Sequence, residues 1–464
     1  MQIATMKIDK KKIRKTRPTQ EAINQESPLL PKRREDRQEI KELNEASFVG
    51  AVFNLSTTII GAGIMALPAT MKVLGLGIGI GMIVFVAVLT ERSVEILLRY
   101  SKAGKLDSYG GVMGSAFGNG GRRLLQIFVL LNNVGILIVY MIIIGDVLSG
   151  TTSSGVHHAG VLEEWFGIHW WNGRICVILF MTLAVFAPLA CFKRIDSLRY
   201  TSALAIALAV VFLIITAGIT VFKLINGSVA MPRLLPNVTD NTSFWNLFTV
   251  VPVIVTAFIC HFNVHTIDNE LEDSSMIRPV VRTSLALCST VYIMTSFFGF
   301  LLFGNSTLND VLANFDTNLG VPYSYVLNDV VRISYALHLM LVFPVVFYPL
   351  RQNIDGLLFP SARPLVSDNC RFTLLSIALI SFIFLGANFV PSIWVAFQFT
   401  GATSAVCIGF IFPAAIALRD PHLVASKMDK IVSVFMIFLA LFSSSVAIYS
   451  DAYALFRKNP SPRE

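Results

Sequence analysis

Eleven runs of mainly apolar residues, each about 20 long, recur between residues 46 and 454 with short polar breaks between them. A run of that length is what an α-helix needs to cross a hydrocarbon core of about 30 Å at 1.5 Å per residue. Backbone amides and carbonyls inside lipid must be satisfied within the segment, so these runs are expected to be helices. The expected spans are 46–71, 74–99, 124–149, 173–192, 200–225, 243–268, 281–303, 329–350, 371–391, 392–416 and 430–454. Composition excludes a soluble domain: 54% of the 464 residues are hydrophobic, 14% are charged, and the mean hydropathy is +0.67. The chain reads as an all-α polytopic membrane protein.

Residues 1–45 form a polar tail, too hydrophilic for a signal peptide and expected to be disordered and cytosolic. With residues at span edges counted in the adjoining loop, the tail side carries 28 Lys and Arg and the other side seven. Only Arg92 and Arg332 fall inside spans. The asymmetry places the tail in the cytosol and residues 455–464 on the non-cytosolic side. Glycosylation sequons at Asn226, Asn237, Asn241 and Asn305 fall in the loops assigned to that second side, whereas the one at Asn54 lies within the first span. In the tail, KIDKKKIRKTR suits anionic lipid or simply the inside-positive bias, and ESPLLP is an imperfect dileucine sorting signal. A vacuolar or other endomembrane address is expected over the plasma membrane. The six cysteines have no metal-ligand spacing and read as packing residues. Neither a metal nor a cofactor is expected.

Shifting the first five spans by roughly 190 to 205 residues lays them over the next five. Because five is odd, consecutive five-helix units cross in opposite senses, so 46–225 and 243–416 form an inverted-topology pair and 430–454 is an added helix. The first span contains TTIIGAGIMALPATMK, with Gly61, Gly63 and Pro68 at its middle. Glycine costs about 1 kcal/mol and proline about 3 in a helix interior. The corresponding place in the second unit, CHFNVHTIDNE, sets His261, Asn263 and His265 in a span, where such residues are costly and usually functional. Paired breaks expose helix N-termini suited to a carboxylate, and carbonyl ends suited to an ammonium group or a cation, so a zwitterion fits both. Plain close packing of a kinked helix is the other reading.

FNLSTTIIGAGIMALP, VYMIIIGDVLSG, FICHFNVHTIDNEL and FPVVFYPLR resemble the first, third, sixth and eighth helix motifs of the amino acid/auxin permease family, within the amino acid-polyamine-organocation superfamily. The resemblance covers nearly everything after the tail. It is closest to the plant vacuolar branch, which is similar to the sodium-coupled neutral amino acid transporters of animals. It implies a five-plus-five inverted-repeat fold with an eleventh helix and secondary active transport of neutral amino acids by alternating access. On the matching positions it implies Thr58, Gly61, Ala62, Gly63 and Ile64 around the substrate carboxylate, with Cys260, His261, Phe262, Asn263 and Val264 lining the site and Tyr140 as a wall.

Thr57 and Val342 stand where the sodium-coupled relatives carry Asn and Thr, and valine offers a hard cation no side-chain oxygen. His261, His265 and His338 are candidate proton carriers, since histidine titrates between about pH 5 and 8. The expected partners are an amino acid, a proton (or sodium) and the bilayer, with no nucleic acid. A sodium-coupled symporter and a membrane amino-acid sensor using the same pocket are the alternatives. A channel would repeat pore-lining groups along a path, and an enzyme would need a nucleophile and base or a metal set inside the bundle, which the spans lack.

Overall fold

The computed structural model describes residues 47–458 apart from 154, 155, 194, 195, 391–396, 398 and 399. The polar tail, its basic run and its dileucine-like segment lie outside the described residues. Among the described residues, thirteen helices are assigned to eleven spans, of which eight, or nine with the bent first pair, are by themselves long and apolar enough to cross a membrane. The first span is α1 (Phe48–Ile59) plus α2 (Gly63–Leu74), bent by 54°. The next four are α3 (Leu76–Gly104), α4 (Tyr109–Ser149), α5 (Arg174–Leu189) and α6 (Arg199–Ile225). The sixth is α7 (Asn241–Ala257) plus α8 (His261–Glu270). Then follow α9 (Ile277–Phe303), α10 (Ser324–Leu358), α11 (Asn369–Phe389), α12 (Gly401–Arg419) and α13 (Lys427–Lys458).

Loop-to-loop contacts check this alternation. On the face where α1 begins, here the tail face, Asn269 donates to the Asp107 carbonyl, Lys102 to Ser274, and Arg99 pairs with Asp429. On the opposite face Lys72 donates to Thr307, Trp165 to Asp329, and His158 pairs with Asp316. Each pair joins two loops or span ends that an eleven-span count puts on one side.

Three spans differ from the sequence expectation. α4 begins at Tyr109 rather than 124, because Ser108 caps it by accepting from the Gly111 amide, and a left-handed Gly118 (φ +67°) lets a polar lead-in turn into the apolar run. α10 outruns 329–350 at both ends and absorbs Pro344 and Pro349. α5 is short, contains a π turn at Thr182–Phe186, and follows a turn at Trp170–Asn172 whose Trp170 is 85% exposed. A small antiparallel pair, Thr151–Ser153 with Val156–His158, caps the opposite face of the otherwise all-helical chain. Cys260 and Cys288 pack in the core as expected, whereas Cys191 and Cys370 are exposed.

The two broken spans run antiparallel, α1 against α8 and α2 against α7, with α9 beside both halves of the first. α10 packs along α4 and α6, and α11 along α4, giving a second layer. α13 lies outside, on α7 and α12. This is a five-plus-five inverted-repeat fold with an eleventh helix, and its two breaks face each other near mid-span.

Candidate functional site at the two helix breaks

The backbone leaves the helical ladder at Ile60 (ψ 99°) and resumes at Gly63; in the sixth span it leaves at Phe258 and resumes at His261. The N-cap residues of the resumed halves, Ala62 and Cys260, have no side-chain cap. Two helix N-termini and two carbonyl ends therefore converge with groups to satisfy, and each N-terminus favours an anion. The break in the first span falls at 60–62, so Pro68 sits within α2 instead, against Gly299, where an added Cβ would lie 2.9 Å from the proline ring.

Three tyrosines hold the first break. Tyr140 places its hydroxyl on the Ala62 backbone, and a Cβ on Gly61 would fall 2.1 Å from that oxygen. Tyr335 donates to the Gly61 carbonyl at 2.6 Å. The Tyr292 hydroxyl lies 2.5 Å from the Ile59 carbonyl and 2.6 Å from that of Ala257, so one proton bridges both breaks. Gly63 serves the same junction: a Cβ there would lie 2.8 Å from Ala257 Cα. The two glycines thus make room for Tyr140 and for the sixth span.

Asn263 donates to Thr58 Oγ1 at 2.9 Å and to the Val345 carbonyl at 3.2 Å, tying α8 to α1 and α10, while Thr58 donates to the Asn54 carbonyl. Ile64, Cys260 and Val264 are fully buried beside them. His261 faces α3 and α12. Ser93 gives its single proton to the Gly409 carbonyl, which only accepts, so His261 Nε2, 3.0 Å from Ser93 Oγ, is the donor of that pair. His338 Nδ1 donates to the Ala205 carbonyl at 2.7 Å, and its ring leans on Tyr335. His265 differs: 4% exposed, it has no partner on either ring nitrogen and packs parallel to Tyr109.

A cavity of about 370 Å³ opens on the tail face and ends at Phe262 and His265. The opposite face is covered by residues 304–323, whose turn Val311–Asp316 packs on α2. Asp310, ahead of that turn, accepts from the Leu312 amide at 3.0 Å. Burial pushes its carboxyl up to about 7, against the Leu312 amide and with help from Asp146. Thr57 donates to the Ser202 carbonyl and Val342 is fully buried. Among the described residues no three His, Cys, Asp or Glu side chains group as metal ligands. Ser93, Tyr292 and Tyr335 are absent from the residues singled out in the sequence; each is a lone hydroxyl in a span, and only the fold brings it to a break.

Comparison with known proteins agrees with this architecture. A family model described as transmembrane amino acid transporter protein matches residues 44–455. Amino acid transporter AVT6A of Arabidopsis thaliana is 72% identical over 438 residues, covering 94% of this chain and 95% of its own length. AVT6C of the same plant is 45% identical, covering 92% and 98%. Among solved structures, a mutant manganese transporter from Eremococcus coleocola superposes with a TM-score of 0.57 at 12% identity over 89% of this chain and 88% of that one, a likeness of fold alone. With its broken-helix architecture and a family match spanning nearly all of its length, this multi-pass chain is a transporter rather than an enzyme and belongs to the family of transmembrane amino acid transporter proteins.

Proposed function

We propose that the chain moves neutral α-amino acids by alternating access, with the substrate held between the two helix breaks. The observation that carries this reading is the asymmetry around the breaks: an open cavity reaches Phe262 from the tail face, while tyrosine hydroxyls and the 304–323 loop cover the other side. A zwitterion satisfies a helix N-terminus with its carboxylate and a carbonyl end with its ammonium group. A charged side chain finds no counter-ion there, since Thr58, Asn263 and Cys260 are neutral. In this reading Thr58, Gly61 to Ile64 and Cys260 to Val264 contribute mainly backbone, and Tyr140 forms the wall.

Transport is proton-linked in this reading. Of the three histidines, His261 and His338 have one nitrogen tied to protein, whereas His265 borders the cavity with both nitrogens unpartnered. We assign the coupling proton to His265. The tail face is cytosolic, from the Lys and Arg bias, and the exposed sequons Asn226, Asn237, Asn241 and Asn305 lie on the other face. The resemblance to the plant vacuolar branch favours the vacuolar membrane, whose acidic lumen supplies protons. Radiolabelled amino-acid flux in proteoliposomes, with and without an imposed pH gradient, tests the reading: uptake that ignores the pH gradient and rises saturably with sodium would overturn the coupling, and binding without flux would make the protein a sensor.

A further inference from the structure

The wall of the tail-face cavity carries a charge pattern that the helix breaks do not use. Its rim includes the N-terminal end of α4, where Ser108 to Gly110 line it, and a helix N-terminus favours a negative group. It also includes the C-terminal end of α8, at Asn269 and Glu270, where the carbonyl ends favour a cation. Side chains repeat the division. Arg122, on α4, and Asp107, just before it, both line the cavity, both are exposed, and neither forms an ion pair among the described residues. At the inner end sits His265, buried and with both ring nitrogens unpartnered. Asp107 is the charged group that acts on that ring. A buried imidazole left without partners is costly, and a ligand in the cavity would relieve it.

We propose that this cavity is a second binding station for a zwitterionic α-amino acid, separated from the helix breaks by Phe262. The carboxylate faces Arg122 and the α4 N-terminus; the ammonium group faces Asp107 and the α8 carbonyl ends, and donates to neutral His265. At about 370 Å³ the cavity lies within the range of about 300–1,000 Å³ usual for small-ligand pockets, with room for one amino acid and some water. Arg122 stands in the same lining as the carboxylates of Asp107 and Glu270, so a plain anion meets two like charges and a plain cation leaves the Arg122 guanidinium facing one. This inference rests on the reading that amino acids occupy the helix breaks.

The test is equilibrium binding of tritiated alanine to the purified full-length protein, titrated into the millimolar range. The wild type is expected to bind two equivalents. Arg122→Gln is expected to keep one and to weaken the second at least tenfold, Asp107→Asn to do the same, and Arg122→Lys to restore most of the loss. Arg122 is exposed and unpaired, so the fold does not depend on it; a size-exclusion profile identical to wild type checks this. One equivalent in the wild type, or two in Arg122→Gln, would overturn the second station and leave the helix breaks as the binding site. No binding in the wild type at all would overturn both.

Discussion

Replacing Gly61 with alanine adds one methyl group at the most crowded point of the first break. The backbone there is not in the left-handed region, so the substitution carries no backbone strain; its cost is the clash with Tyr140. The new Cβ would sit 2.1 Å from the Tyr140 hydroxyl oxygen, 3.1 Å from the ring carbon bearing it and 3.4 Å from the next. The hydroxyl must retreat by roughly 1 Å to reach an ordinary contact distance, which breaks its bond to the Ala62 backbone. Leaving that buried amide unpaired costs about 1–3 kcal/mol, and overpacking adds about 1–3 more. Gly61→Ala is therefore expected to reduce uptake by about 30-fold or more, since each 1.4 kcal/mol is a factor of ten. Tyr140→Phe removes the clashing oxygen and loses only the Ala62 bond, about 1–3 kcal/mol. The double variant should transport like Tyr140→Phe alone, better than Gly61→Ala, because the methyl then occupies the space of the missing hydroxyl. Initial rates in proteoliposomes, corrected for reconstituted protein, measure all four corners of the cycle. Additive losses, or full activity of Gly61→Ala, would refute the assignment of Tyr140 to this contact.

A second glycine gives a parallel result: Gly63→Ala places a Cβ 2.8 Å from Ala257 Cα and 2.9 Å from its Cβ, so uptake should fall with protein level intact, and Ala257→Gly should recover part of it. His265→Gln should flatten the pH dependence of net uptake while leaving exchange of one amino acid for another largely intact; equal loss of both would give that ring a packing role. Asp310, raised to about 7 from an ordinary 3.8, is protonated in the closed opposite face below pH 7 and ionises above it. With an ordinary carboxylate value in the open form, its contribution to closure is full below about pH 4 and is lost as pH rises from there to 7. Protease access to residues 304–323 should increase as pH rises from about 4 to 7 in the wild type and level off above that, and Asp310→Asn should remove that step.

The breaks were legible in the sequence because glycine pairs and polar residues inside apolar runs are too costly in lipid to stand there without a structural role. GAG at 61–63 and CHFN at 260–263 begin 199 residues apart, within the offset of the repeat. What stayed hidden were the side-chain partners. Gly63 reads in sequence as space for a carboxylate, yet Ala257 fills it, because which span lies opposite a glycine is decided by tertiary packing. His261 reads as a site residue, and its ring is turned to Ser93 on α3. Tyr292 and Tyr335 carry no local signal, since a tyrosine inside an apolar run looks like any other large core residue. The early start of α4 was hidden by its polar, glycine-rich lead-in, which fails an apolarity criterion although Ser108 caps it.

The short α5 has a mechanical consequence for the surrounding lipid. Sixteen residues, Arg174 to Leu189, rise about 24 Å, some 6 Å less than an average hydrocarbon core. Leu183 and Phe180, 65% and 67% exposed, show that this helix forms part of the perimeter. A short span is accommodated by thinning of the bilayer, by snorkelling of flanking residues or by a neighbouring subunit, and the exposed Trp170 and Trp171 are the residue type that sits at a headgroup boundary. Such thinning costs fractions of a kcal/mol per Å. The apolar perimeter is then uneven in the plane of the bilayer, shortest beside α5, and lipid packs against the protein differently there than around the longer spans.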